Sequence, residues 1–497
     1  MTASLTLSKG LPRDVDVVVL GMATVNDTPA LIGASQDLDD VYRRHYSRPL
    51  AELASAMGAK AEKESVCALP AAGAIRAVIV GVGDADVTPA GLRRATGAAL
   101  RWIAGKAEGK TLSVAVSLEL ADPELVQAAG EGALLGAYAV PTLAATPPPA
   151  AVGTVALVVA KETAPLRTAA KTAQVTAAAV CQARDWGNTP PNLLYPESFA
   201  EQARAHVKGD KIAVEILDDK ALEKGGYGGI MAVGGGSARK PRLVRLSYAP
   251  RGASFHLVLV GKGITYDSGG LDIKPAGQMA GMKFDMCGAA AVIAATRAIA
   301  GLGLKVTVTT YAALAENMPS GSAFRSSDVM TMFDGQTVEN FNTDAEGRLV
   351  MADAIGRAGL DGPDLIVDVA TLTGACMVAL GTRVSGLMTS DDATADRLLD
   401  AAETAGEELW QLPLTEEIRS QLTSPVADMR SGGTTRWGGA LIAGAFLHRF
   451  VKDDVAWAHL DIAGPANNEG EPHGYTPKGG TGVAVRTLVA LASQLAN

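Results

Sequence analysis

Histidine and cysteine are scarce in this chain of 497 residues, with six and four respectively. His45, His206, His256, His448, His459 and His473 are scattered, and no HExxH occurs, which argues against a histidine-based zinc hydrolase. Cys67, Cys181, Cys287 and Cys376 are widely spaced with no CxxC, a pattern that suits a reducing compartment better than a disulfide scaffold. Excess positive charge is missing too. A formal net charge of -9 gives no general footprint for a polyanion, so no nucleic-acid partner is expected. Apolar runs such as VAWAHLDIAG and LVLVGKG fall far short of a membrane span. The opening MTASLTLSKGLPRDVD has neither the basic start nor the apolar stretch of a secretory signal. A cytoplasmic location without membrane contact is the expectation. Internal repeats and low-complexity tracts are likewise absent.

What is present is a globular, loop-rich composition: 48% hydrophobic and 20% charged residues, with 55 Gly and 24 Pro. The length exceeds one ordinary domain. In the first half, VDVVVLG (15–21), AIRAVIVGVG (74–83), TLSVAVSL (111–118) and TVALVVAK (154–161) are strand-like. They alternate with helix-compatible text such as LRRATGAALRWIAG (92–105), which predicts an α/β class. GVGDAD lacks the full GxGxxG and its helix opening, so a tight turn is expected there rather than a cofactor loop. PTLAATPPPA (141–150) interrupts the half, and a helix-like segment from about 162 to 184 leads into NTPPNLLYPESFA. There prolines stop one helix, and Pro196 with Glu197 opens the next. The predicted organisation is an N-terminal α/β domain (1–165), a linking helix (166–189) and a larger catalytic domain (190–497). In this second part KIAVEILD, LVRLSYA, FHLVLVGKG, KVTVTTYAALAE and DLIVDVATLTGA renew the alternation.

Charges gather beside these strands. Lys262 is read as lying just beyond a strand, with Asp267 five residues later, ahead of a double glycine. Lys274 and Asp285 precede a long helix-compatible run. Asp344, Glu346 and Arg348 alternate in NTDAEGRLV before the chain turns apolar. Taken singly, Lys262 caps a strand end and Asp285 complements a helix N-terminus. Taken together, Asp267, Asp285, Asp344 and Glu346 form a set of hard oxygen ligands whose four negative charges two divalent cations would offset. Lysine joins such a site only as a neutral amine, which neighbouring cations favour. Lys274 and Arg348 then remain to meet negative charge that develops in a reaction. Two bridged metals activate a shared water and clamp a tetrahedral intermediate, so these residues outline a two-metal hydrolase.

GKGITYDSGGLDIKP, MKFDMCGAAAV, ENMPSGSAFRSSDV and NTDAEGRLVMADA resemble the leucyl aminopeptidases, peptidase family M17. The resemblance runs from NTPPN at 188 to GYTPKGGTGVAVRTL ending at 488. It implies Lys262, Asp267, Asp285, Asp344 and Glu346 as ligands of two divalent ions, Mn2+ or Zn2+, with Asp267 and Glu346 bridging. It implies Lys274 as the catalytic lysine facing the scissile carbonyl oxygen, and Arg348 as the holder of a bicarbonate that shuttles a proton. Met282, Thr371, Leu372, Gly374 and Ala463 match positions that line the specificity pocket or hold the peptide backbone. Further implications are a mixed central sheet, a homohexamer built as a dimer of trimers, and release of N-terminal Leu- or Met-like residues from short peptides by a metal-activated water. FRSSDV (324–329) departs from the QRPGDV more common in the family, and an altered loop is expected there. The competing readings are a narrow dipeptidase, for Cys-Gly as an example, and an additional DNA-binding role.

Overall fold

The structure, a computed structural model, describes residues 3–146, 151–433, 435 and 437–496. Residues 147–150 of the proline-rich stretch lie outside the described residues. The chain divides into two units, Met1–Cys181 with Glu469–Lys478, and Gln182–Asn468 with Gly479–Asn497. The division falls inside one helix, Ala164–Asn188.

In the first unit, β1 (Ser4–Ser8), β2 (Val17–Val25), β3 (Thr28–Ile32), β4 (Val66–Ala68), β5 (Arg76–Asp84), β6 (Leu112–Val116) and β7 (Val152–Val158) form one sheet. Its order is β1-β7-β6-β2-β5-β4, with β3 on β2. The β1, β7, β6, β2 and β5 strands run parallel, while β3 and β4 are antiparallel additions. Sequence reading missed β1, β3 and β4, which are short or half-exposed and so carry little apolar pattern. The GVGD residues do not make the expected tight turn. They continue β5 past a register shift, and Gly83 takes φ 85°.

The second unit is built on β8 (Ala213–Leu217), β9 (Arg242–Tyr248), β10 (His256–Asp267), β11 (Thr307–Asn317), β12 (Val329–Thr331), β13 (Thr337–Glu339), β14 (Leu365–Ala370), β15 (Ser385–Thr389), β16 (Leu409–Gln411), β17 (Met429–Arg430) and β18 (Ala456–Asp461). Eight of these form a mixed sheet of order β16-β15-β18-β14-β10-β11-β9-β8. Its centre, β18, β14, β10 and β11, is parallel. These strands are covered on both faces and therefore read as nearly continuous apolar runs. Val258 and Val260 share a core with Leu349, Val350 and Ile355 of the Glu346–Ala358 helix. Gly261, of the opposite parity, faces the Cys287–Leu302 helix, where an added Cβ would come 2.6 Å from the Ala289 Cα. The stretch Ala276–Leu302 has the length and hydropathy of a membrane span, but 78% of its apolar window is buried, and packing against this sheet accounts for that character.

Lys262 is a correction. It does not follow the strand, because β10 continues to Asp267 and Lys262 belongs to its interior, 3% exposed. Its parity is that of Val258 and Val260, so its side chain projects toward the start of the Glu346–Ala358 helix.

Candidate metal centre

Ligands of parallel α/β sheets collect beyond the carboxyl ends of the strands. Here β14 and β18 end together in the pair Ala370 and Asp461, and β10 runs past them to the pair Asp267 and Asn317 with β11. Asp285 follows the 3-10 turn Met282–Phe284, and Glu346 opens its helix two residues after Asp344. Segments distant in sequence thus deliver all the charged residues to one sheet edge.

Each lysine joins carboxylates from different segments. Lys262 Nζ lies 2.8 Å from Asp285 Oδ1 and 2.9 Å from Glu346 Oε1, and donates to the Thr371 carbonyl at 3.0 Å. Lys274 Nζ lies 2.8 Å from Asp267 and 2.5 Å from Asp344. Burial works against the charge of Lys262, yet Asp285, Glu346 and Asp267 outweigh it and hold the ammonium above its usual range. Burial also opposes the charge of Lys274, and there Asp267 leads the carboxylates that win. Four carboxylates against two ammonium groups leave excess negative charge. Burial, reinforced by Glu346, pushes Asp267 up to about 6, and burial drives Asp285 well above the carboxylate range. Glu346 is held low because Lys262 overcomes its burial.

These donors fit divalent cations. Asp267, Asp344 and Glu346 each offer an oxygen within 4.8 Å of the others. Asp285 Oδ2 and Glu346 Oε2 are buried without a hydrogen-bond partner, a costly arrangement for a carboxylate unless a cation is its partner. The carboxylate oxygens suit hard ions such as Mg2+ or Mn2+, and Lys262 would add its nitrogen only as a neutral amine, once neighbouring cations displace its proton. The backbone is cut to make room. A Cβ at Gly347 would lie 2.5 Å from Lys262 Nζ, and one at Gly269, already at φ 88°, would lie 2.9 Å from Asp344 Oδ1.

Neighbours that the sequence reading did not single out hold these carboxylates in place. Asn317 Nδ2 donates to Asp267 Oδ1 at 2.8 Å and to the Thr343 carbonyl at 3.0 Å, fixing the orientation of the aspartate. Asp272 Oδ2 accepts from Thr343 N at 2.8 Å, while Asp272 N donates to Thr343 Oγ1 at 2.8 Å. This reciprocal clamp joins the loop of Lys274 to that of Asp344. Asn317, Asp272 and Thr343 lie within the quoted motifs ENMPSGSAFRSSDV, GKGITYDSGGLDIKP and NTDAEGRLVMADA, a signal that could have found them. Ser326 Oγ adds a hydrogen bond of 2.9 Å to Asp272. In the departing FRSSDV segment Ser327 N donates to the Asn340 carbonyl at 2.8 Å, and Ser327 adopts φ 74°.

Arg348 donates from one terminal nitrogen to the Ser431 carbonyl at 2.8 Å, and its Nε is buried without a partner. Burial lowers its pKa to about 10 against the pull of Glu346 and Asp461, so it stays charged at neutral pH. Thr371 Oγ1 donates to Asp285 Oδ1 at 2.7 Å, which places the 371–374 loop directly beside the carboxylates. Met282, Thr371, Leu372 and Ala463 are half-buried, and Gly374 is exposed at the start of a short helix, Gly374–Leu380.

An oxygen-ligand cluster with two interleaved lysines, at the carboxyl edge of a mixed sheet, defines a metallohydrolase of the α/β class. The cytosol aminopeptidase family catalytic-domain model matches residues 181–489, and the model of that family's N-terminal domain matches 19–144. The chain therefore belongs to the cytosol aminopeptidase family, M17, and is a metal-dependent aminopeptidase, a hydrolase. Probable cytosol aminopeptidases from Cutibacterium acnes and Streptomyces coelicolor are 50% and 48% identical to it, covering 97% and 99% of this chain and 94% and 98% of their own. A bottromycin maturation enzyme, BotP, in complex with Mn superposes with TM-score 0.85 at 38% identity, over 97% of this chain and all (100%) of that one. A tomato leucine aminopeptidase mutant gives 0.86 at 29% identity, over 99% and 96%.

Proposed function

We propose that this enzyme releases Leu- or Met-like N-terminal residues from short peptides in the cytoplasm, using two divalent ions held by Lys262, Asp267, Asp285, Asp344 and Glu346. The observation that carries this reading is the pair of orphaned buried oxygens, Asp285 Oδ2 and Glu346 Oε2, beside the Asp267–Asp344–Glu346 cluster. The chain's own residues divide the remaining work. Lys274 presents an ammonium where negative charge grows on the peptide carbonyl oxygen, and so favours the transition state over the bound substrate. Arg348 would hold an anion such as bicarbonate, which would supply a proton acceptor beside the reacting centre; no histidine or spare carboxylate is assigned to that task. Thr371, Leu372, Gly374 and Ala463 hold the peptide backbone, while Met282 contributes to an apolar pocket for the departing residue's side chain. When bound, the ions supply Lewis-acid activation of water and carbonyl, and Mn2+ or Zn2+ would serve. The assembly proposed is a hexamer, a dimer of trimers, which light scattering measures directly.

Metal analysis of purified variants tests the ligand set. The parent is expected to hold two ions per subunit, Glu346→Ala to disturb both and Asp344→Ala to empty one. Unchanged stoichiometry in Glu346→Ala would sink the assignment. Peptides with free and blocked N-termini separate exopeptidase action from other peptide hydrolysis.

A further inference from the structure

Asp461 is wholly buried at the end of β18. Among the described residues no lysine or arginine forms an ion pair with it, and the mechanism above gives it no task. Burying a carboxylate without a cation at contact distance is costly, so its partners must be good hydrogen-bond donors. Oδ1 accepts from Leu372 N at 3.1 Å and from Ala463 N at 3.1 Å. Oδ2 accepts from Thr373 Oγ1 at 2.7 Å. That hydroxyl in turn accepts from Cys376 N at 3.0 Å and caps the Gly374–Leu380 helix. The other side of the same loop is tied to the carboxylate cluster, through Lys262 to the Thr371 carbonyl and through Thr371 Oγ1 to Asp285. The loop thus hangs between two anchors, one at the proposed metal centre and one at Asp461.

We propose that Asp461 is a positioning residue for peptide hydrolysis: by binding Leu372, Thr373 and Ala463 together, it sets where the substrate backbone and its N-terminal side chain lie relative to the metal ligands. The inference rests on the reading of Leu372, Gly374 and Ala463 as substrate contacts. Strand pairing supports it, because Ala370 and Asp461 are register partners and one carboxylate at that point reaches the loops leaving both strands. Asp461 touches no substrate; it acts through the loops that do.

The test compares the parent with Asp461→Ala, Asp461→Asn and Thr373→Val, all loaded with Mn2+. Metal per subunit is measured alongside kcat and KM for peptides beginning with Leu and with Ala. Asp461→Ala should keep its metal and lose about 10²-fold in kcat/KM, the effect of a misplacement near 1 Å, with the Leu-over-Ala ratio compressed. Asp461→Asn keeps an oxygen for Leu372 N and Ala463 N and should restore most of both quantities. Thr373→Val should fall between them. Parental efficiency and selectivity in Asp461→Ala would overturn the proposal. So would loss of metal from both Asp461 variants with an unchanged Leu-over-Ala ratio, which marks a merely structural role. If Asp461→Ala does not fold, Asp461→Asn and Thr373→Val decide, and parental selectivity in Thr373→Val overturns it. A parent inactive on every free-amine peptide refutes the exopeptidase reading and this assignment with it, whereas an active parent beside an unaltered Asp461→Ala refutes this assignment alone.

Discussion

Replacing Gly347 by alanine isolates a single methyl group at the junction of helix and strand. Gly347 is buried in the first turn of the Glu346–Ala358 helix, where alanine is intrinsically better by about 1 kcal/mol. Helix propensity alone therefore predicts a more stable protein. The new Cβ, however, would lie 2.4 Å from Cε, 2.5 Å from Nζ and 2.8 Å from Cδ of Lys262. Ordinary carbon contacts need about 3.5 Å, so the lysine must withdraw by about 1 Å. A free lysine would do so at little cost. This one is fixed by Asp285 at 2.8 Å, Glu346 at 2.9 Å and the Thr371 carbonyl at 3.0 Å. Hydrogen bonds to charged groups contribute roughly 1.5–3 kcal/mol each, so loosening two of them outweighs the helical gain. The displaced ligand should weaken divalent-ion binding and lower kcat/KM about 10²-fold, equivalent to about 2.7 kcal/mol. Titration of metal-free protein with Mn2+, followed by kinetics on a Leu-peptide, measures both. A Gly347→Ala enzyme with parental Mn2+ affinity and parental kcat/KM would refute the claim that this glycine exists to admit Lys262.

The turn at Ser327 offers a gain instead. Its φ of 74° strains an L-residue, so Ser327→Gly should stabilise the protein on the order of 0.5–1 kcal/mol after the entropy of the unfolded glycine is counted, and a lower urea midpoint would contradict this. Acid sensitivity should include His206, whose pKa burial, and then Arg297, lowers to about 4. Between pH 6.5 and 4 the unfolded chain takes a proton that the fold refuses, so this contribution is present above pH 6.5 and lost as pH falls to 4. The stability difference between parent and His206→Gln should shrink over that window in denaturant melts; a constant difference would exclude the histidine. Lys274→Ala should depress kcat by about 10²-fold or more with little change in KM, and equal losses in binding would place Lys274 in ground-state contact instead. Arg348→Ala should keep its metal but respond weakly to bicarbonate added to degassed buffer, whereas the stripped parent should regain rate; a parent indifferent to bicarbonate removes that role from Arg348.

Sequence by itself determined the α/β class, because the central strands are buried on both faces and must be written as apolar runs such as LVLVGKG and DLIVDVA. It also named the charged, glycine-flanked residues that the fold brings together at one sheet edge. Short edge strands were illegible for the opposite reason. With little buried area, β1, β3 and β4 need almost no hydrophobic pattern. The return of Glu469–Lys478 to the first unit left no mark either, for it depends on local contacts such as the bond from Gly474 N to Glu64. Most of what positions the reactive groups belongs to this second kind. That Asp461 reaches Leu372 follows from the register of β14 on β18, and that Lys262 fits over Gly347 follows from the parity of β10 against a helix far along the chain. Local sequence fixes which residues point to one face of a strand, but only packing of the assembled sheet chooses which partner that face meets.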